Sequence, residues 1–223
     1  MAQPSETFDT YDSIGEREDL SDVIYNISPT DTPFLSSAAK TQATAVLHEW
    51  QTDSLASAVT NNAVIEGDEA TADAVAATTR LSNSSQILDK VVTITGTQEA
   101  VDKAGRASEI AYQVAKKAKE LKRDLESSLT SNNAEVTGGS GTARQLGGLG
   151  SWVATNDVFG SGGASGGLGN TARTNGTQRA FTEAQLKSVI KSVWNEGGNP
   201  QIIMVGPFNK QKLSGFTGNS TRF

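Results

Sequence analysis

The chain has 223 residues, no cysteine and a formal net charge of −6, which allows one or two domains with a core of their own. It holds no apolar run long enough for a membrane helix, no basic-then-apolar start of the secretory kind, and no means of building a disulfide framework or a reactive thiolate. The charge is divided: residues 1–79 carry 14 acids and two bases, residues 80–223 carry 11 acids and 17 bases, and between Lys40 and Arg80 there are six acids and no base. Such a split points to surfaces that complement one another, within a chain or between copies.

In chain order, residues 16–27 place Leu20, Val23, Ile24 and Ile27 on one helical face. Pro29 ends that element, and "SPTDTPFLSSAAK" reads as a turn and a short helix opened by Pro33. "TAVLHEWQTDSL" alternates well enough for a strand, and "ILDKVVTITG" (87–96) offers a second. The 53–86 stretch between them is rich in Ala, Thr, Ser and Asn around Glu66, Asp68, Glu69 and Asp73. Long loops of that kind are held in place by another surface or serve a function.

Residues 98–104 predict a helical turn or two with Glu99–Lys103 and Asp102–Arg106 as i,i+4 pairs, bent at Gly105. The main helix is expected over 106–131, with Ile110, Val114, Ala118, Leu121, Leu125 and Leu129 in one stripe. Tyr112, Lys116, Lys119 and Arg123 fall on the opposite ridge at 100° per residue. Thirteen of the 22 glycines lie between Val136 and Gly176, including two GGLG runs, and Gly160–Gly169 reads as a mobile loop. Further on, Thr182 and Gln185 form a capping box, Leu186, Val189, Ile190, Val193 and Trp194 make a buried helical face, and Gly197–Gly198 close the helix. Gln201–Val205 reads as a short buried strand, and Pro207 opens another helix ending near Gly215.

Catalytic patterns fail on context. Gly163-Ala-Ser165-Gly-Gly167 has the letters of a nucleophile elbow but no strand before it. Gly167-Leu-Gly169-Asn-Thr-Ala172 lacks the strand–turn–helix of a dinucleotide fingerprint. The lone His48 sits beside Trp50 in a strand, and the Glu66–Asp73 carboxylates do not have calcium-loop spacing. No enzyme activity, cofactor or metal is expected.

Three blocks, "SPTDTPFLSS" with "HEWQTDSL", "TGTQEAVDKAGRASEIAYQVAKKAKELKRDLESSL", and "WNEGGNPQIIMVGPFNKQKLSGF", resemble major capsid proteins of tailed bacteriophages, in the branch with the Hong Kong 97 type fold. The resemblance implies an α+β chain with an N-terminal arm (1–40), an extended loop built as a long acidic β-hairpin (41–97), a peripheral domain with a spine helix and a Gly-rich loop (98–176), and a partial axial domain (177–223). Family members continue further, so the resemblance also implies a chain short by on the order of a hundred residues, within ordinary domain size. It implies self-assembly into the hexamers and pentamers of an icosahedral head. Scaffold, portal and decoration proteins are further partners, packaged DNA is touched weakly without sequence specificity, and no membrane is involved. The expected location is the virion, after synthesis in the host cytoplasm. Glu66, Asp68, Glu69 and Asp73 of one subunit are then expected to meet Tyr112, Lys116, Lys119 and Arg123 of the next. Two other readings are a nucleic-acid-binding protein using the basic helix, disfavoured by the acidic pI near 4.9, and a Gly/Ser-rich fibre or adhesin, disfavoured by the lack of repeats.

Overall fold

A computed structural model describes residues 7, 10, 11, 13, 14, 16, 19 and 21–216. Its elements, in order, are α1 (Pro33–Ser37), β1 (Leu47–Thr52), β2 (Thr79–Ser84), α2 (Gly96–Ala100), α3 (Glu109–Thr130), α4 (Leu149–Trp152), α5 (Glu183–Asn195) and α6 (Pro207–Ser214). The mixture is α+β. Two compact units share the chain, one of residues up to Thr30 with Lys90–Glu120, the other of Asp31–Asp89 with the residues from Leu121 on, so the boundary falls inside α3.

In the first unit the amphipathic pattern of 16–27 does not become a helix: residues 21–27 have no helical turn, Tyr25 and Ile27 are exposed, and Leu20 lies outside the described residues. An amphipathic helix draws its stability from burying its stripe. Here Asp22 instead accepts a bond from the Gly105 amide, and Ile24 lies against Gly105. α2 stops at Ala100, earlier than its sequence suggests, because Lys103 folds back onto its last carbonyls. The expected strand 87–96 has no ladder partner among the described residues, and Val91 is exposed.

The second unit holds the hairpin. β1 pairs antiparallel with β2, from Leu47↔Ser84 to Thr52↔Thr79. The return strand is therefore the polar stretch TRLSNS rather than the apolar 87–96. Its polarity has a purpose: Asn83 accepts from the Gly147 amide (2.8 Å) and donates to the Gly147 carbonyl (3.2 Å), Ser84 donates to Glu135, and Gln86 just beyond accepts from the Leu146 amide. These side chains stand in for a further strand.

They anchor the hairpin to a knot of small residues where the chain is most tightly packed. Gly147, Gly148, Gly150, Ser151 and Gly169 are buried, whereas no large apolar side chain is fully buried among the described residues. The two GGLG runs meet there: Gly169 donates to the Ser151 carbonyl, its own carbonyl accepts from Glu135, and a Cβ on Gly147 would lie 2.8 Å from the Gly169 oxygen. The 160–177 stretch is stitched rather than loose. Gly166 donates to Val153, Ala164 and Thr174 bond each other both ways, and Thr177 donates to Ser161. The glycines serve close backbone approach, not freedom of movement.

Towards the C-terminus the local rules hold. Thr182 and Gln185 complete their capping box, Gly197 (φ 82°) follows the end of α5, and Pro207 starts α6. Burial is where expectation fails. Trp194 is 70% exposed, Ile190 is exposed, and Gln201–Val205 forms no strand, leaving Ile202, Ile203 and Met204 open. A strand needs a partner and a helical stripe needs an opposing surface, and none lies among the described residues.

Candidate subunit-contact surfaces

The hairpin base is fixed by aromatic contact and charge. Trp50, opposite Leu81 in the ladder, stacks on Trp152 with ring centroids 5.1 Å apart, and the Trp152 indole donates to the Gly147 carbonyl. Arg80 and Glu49 pair across the strands at 3.3 Å. His48 lies exposed, 5.8 Å from the Trp50 ring. Beyond Thr52 the ladder ends, and every residue of 53–78 is exposed. The structure gathers Glu66, Asp68 and Glu69 around one tight turn: Gly67 has φ 86°, Asp68 donates to the Ile65 carbonyl, and the Asp68 carboxylate accepts from the Glu69 amide. Asp73 follows further along the loop. Interspersed with these acids, Leu55 and Val75 are almost wholly exposed, as to a large degree are Val59, Val64 and Ile65.

On α3 the expected ridge is partly as read. Lys116, Lys119 and Arg123 are exposed, whereas Tyr112 is half-buried under the Arg106 guanidinium, 5.4 Å above its ring. None of Glu66, Asp68, Glu69, Asp73, Lys116, Lys119 or Arg123 forms an ion pair among the described residues. The apolar stripe divides. Leu121, Leu125 and Leu129 are half-buried, but Ile110 and Val114 are 50% and 54% exposed. In that first half the helix turns Glu109, Gln113 and Lys117 to an open groove of about 530 Å³ against 91–95.

Sequence reasoning missed the acids that organise this helix. Glu109 is buried with bonds from Gln113 and Arg106, which hold its carboxyl below the usual glutamate range. Glu99 accepts from the Glu109 and Ile110 amides, capping α3 from outside; the Ser108 hydroxyl first, then those amides, hold its carboxyl low as well. Lys117, 2.7 Å from Glu120, does the same for Glu120. In the second unit Glu126 grips α1: its two carboxylate oxygens accept from the Phe34 and Leu35 amides, each at 2.8 Å. Those are orphan donors of a helix whose Thr32 supplies no side-chain cap. Nothing in the sequence pointed to Glu126, because spacing cannot show a partner 92 residues away.

Among the described residues no group of His, Cys, Asp or Glu is placed to hold a metal ion, and no helix is long and apolar enough to cross a membrane.

The profile of the SU10 major capsid protein family matches residues 3–223. The chain belongs to this family. A curated relative, the "Major capsid protein" of Escherichia phage Phieco32, is 41% identical over 136 residues, which cover 61% of this chain and 38% of that protein. The match thus spans well under half of that relative's length. The family is one of capsid proteins, a structural family and not an enzyme family.

Proposed function

We propose that this major capsid protein assembles with copies of itself into the hexamers and pentamers of an icosahedral head around double-stranded DNA. In this reading it has the Hong Kong 97 type architecture: arm 1–40, extended loop 41–97, peripheral domain 98–176 with α3 as its spine, and axial domain 177–223. Scaffold, portal and decoration proteins are its further partners, and the virion is its location.

The observation that carries the reading is the loop 53–78, exposed throughout and studded with large apolar side chains and acids, at the end of a ribbon whose base is firmly anchored. Water-exposed apolar side chains at that density mark a surface made for a partner. The exposed Lys116, Lys119 and Arg123 of α3 supply a ridge of opposite charge. The loop of one subunit lies over α3 of the next. Each exposed ion pair contributes only about 0–1 kcal/mol, so no single pair decides the contact; repeated at every subunit, the charges set register, screened over about 8 Å at physiological salt. Head-to-tail contacts of this sort close into rings.

Electron microscopy of the full-length protein tests the reading, with shells or curved sheets expected. The triple reversal E66K/D68K/E69K blocks assembly, and K116E/K119E/R123E in the same chain restores part of it. Normal shells from the first variant refute the contact; a salt-sensitive DNA complex of a soluble monomer in place of any shell refutes the function.

A further inference from the structure

We propose that residues 101–108 are a two-state joint, bent in this structure and able to become helical, and that the arm segment Asp22–Ile24 holds the bend. The basis is that the same backbone groups have two complete and mutually exclusive sets of partners. In the bent form the Lys103 ammonium donates to the carbonyls of Gln98, Glu99 and Val101, each at 2.9 Å. In a continuous helix those three carbonyls would accept from the amides of Asp102, Lys103 and Gly105. At the other end the Glu99 carboxylate accepts from the amides of Glu109 (2.9 Å) and Ile110 (3.2 Å). In a continuous helix those amides would donate to the carbonyls of Gly105 and Arg106. Glu99 and Lys103, released, become an i,i+4 pair, and Asp102 with Arg106 a second.

No residue of VDKAGRAS bars the change: it lacks proline and holds one glycine. That glycine is the pivot. Gly105 has φ 78°, a conformation costly for any residue with a side chain. Its amide donates to the Asp22 carboxylate at 3.1 Å, and the Ile24 side chain lies 2.9 Å from where a Cβ would stand. In the helical form that amide is committed to Val101, so Asp22 can hold it only when the joint is bent. The arm and the helix therefore exclude one another at a single N–H group, and docking of residues 22–24 selects the shorter α3. Fused, α2 and α3 give one helix from Gly96 to Thr130, about 52 Å at 1.5 Å per residue.

Two variants of the full chain test this. Gly105→Ala removes both the left-handed glycine and the seat of Ile24; it should move the bent-to-helical ratio about 30-fold toward the helix, or about 2 kcal/mol at 1.4 kcal/mol per decade. Asp22→Ala touches only the exposed arm and should shift the ratio about fivefold. Hydrogen exchange reads the result directly, since among the described residues the amides of 102–104 and 106–108 make no backbone hydrogen bond in the bent form. Both variants should protect them. The chain has no cysteine, so nitroxides on A100C and I110C report geometry: the Glu99 cap keeps the bent ends within one side chain's reach, whereas a straight helix sets them about 15 Å apart. Unchanged exchange and unchanged spin coupling in both variants overturn the proposal. So does weaker coupling with faster exchange, which means the joint has melted instead of becoming helical.

Discussion

Gly148→Ala measures whether the glycine-rich region is a packed knot or a flexible linker. Gly148 has φ −78° and ψ 167°, which alanine adopts without strain, so conformation is not at issue. Space is. A Cβ there would stand 2.5 Å from the Ser131 carbonyl oxygen and from its hydroxyl, and 2.9 Å from the Ser128 carbonyl, where real Cβ atoms essentially never come under 3.0 Å. The backbone must yield by at least about half an ångström. It cannot do so freely, because the Ser131 carbonyl is bonded by the Gly150 amide and the Gly148 amide is bonded to Asn133, both at 2.9 Å. Overpacking costs about 1–3 kcal/mol, and a strained or lost backbone hydrogen bond adds about 1 kcal/mol. The expected loss is about 2–4 kcal/mol, a fall in Tm of roughly 5–15 °C for a chain of this size. Gly139→Ala is the control: nothing lies within 4 Å of its Cβ, and its φ is not in the left-handed range. There a slight gain of up to about 1 kcal/mol is expected from a stiffer unfolded chain. Thermal melts of both variants at one protein concentration decide the matter. If G148A melts within a degree of the parent, or no lower than G139A, the knot is not packed as described.

Asn83→Ala leaves the Gly147 amide without its acceptor at a part-buried position, costing about 1–3 kcal/mol; hydrogen exchange should quicken at Gly147 and across the β1–β2 ladder while α5 is unaffected. Glu126→Gln keeps one oxygen for the amides of Phe34 and Leu35 but loses the charge and the second acceptor. A loss of about 1–2 kcal/mol corresponds to roughly 5–30-fold faster proteolysis around α1, and an unchanged rate refutes the grip. Acid should loosen the start of α3. The Glu99, Glu109 and Glu120 carboxyls are all held low in the folded chain, so their contribution is present in full above the ordinary glutamate range and is lost as pH falls through their depressed values. The protection of the amides of 109–113, taken relative to their intrinsic exchange at each pH, should then fall on acidification; protection that holds through the acid range counts against the assignment.

What residues determine with their neighbours in sequence was legible without a structure. The 3.6-residue recurrence of Ile110 to Leu129 gives α3, found at 109–130 against an expected 106–131. The Thr182–Gln185 box and the glycine after Asn195 give α5, and Pro207 gives the start of α6. The exposed acidic stretch was legible too, because charge density needs no partner to be read. Tertiary structure alone decided which strand returns from β1, since the polar side chains of Asn83, Ser84 and Gln86 bond to residues some 50–65 positions away. It alone showed that the glycines bring backbones together, because composition cannot distinguish a residue without a side chain that moves from one that admits a carbonyl. It also decided burial. Ile110, Val114, Trp194 and Ile202 have the pattern of covered residues and stand open, for hydrophobic pattern specifies a face and only another surface can cover it.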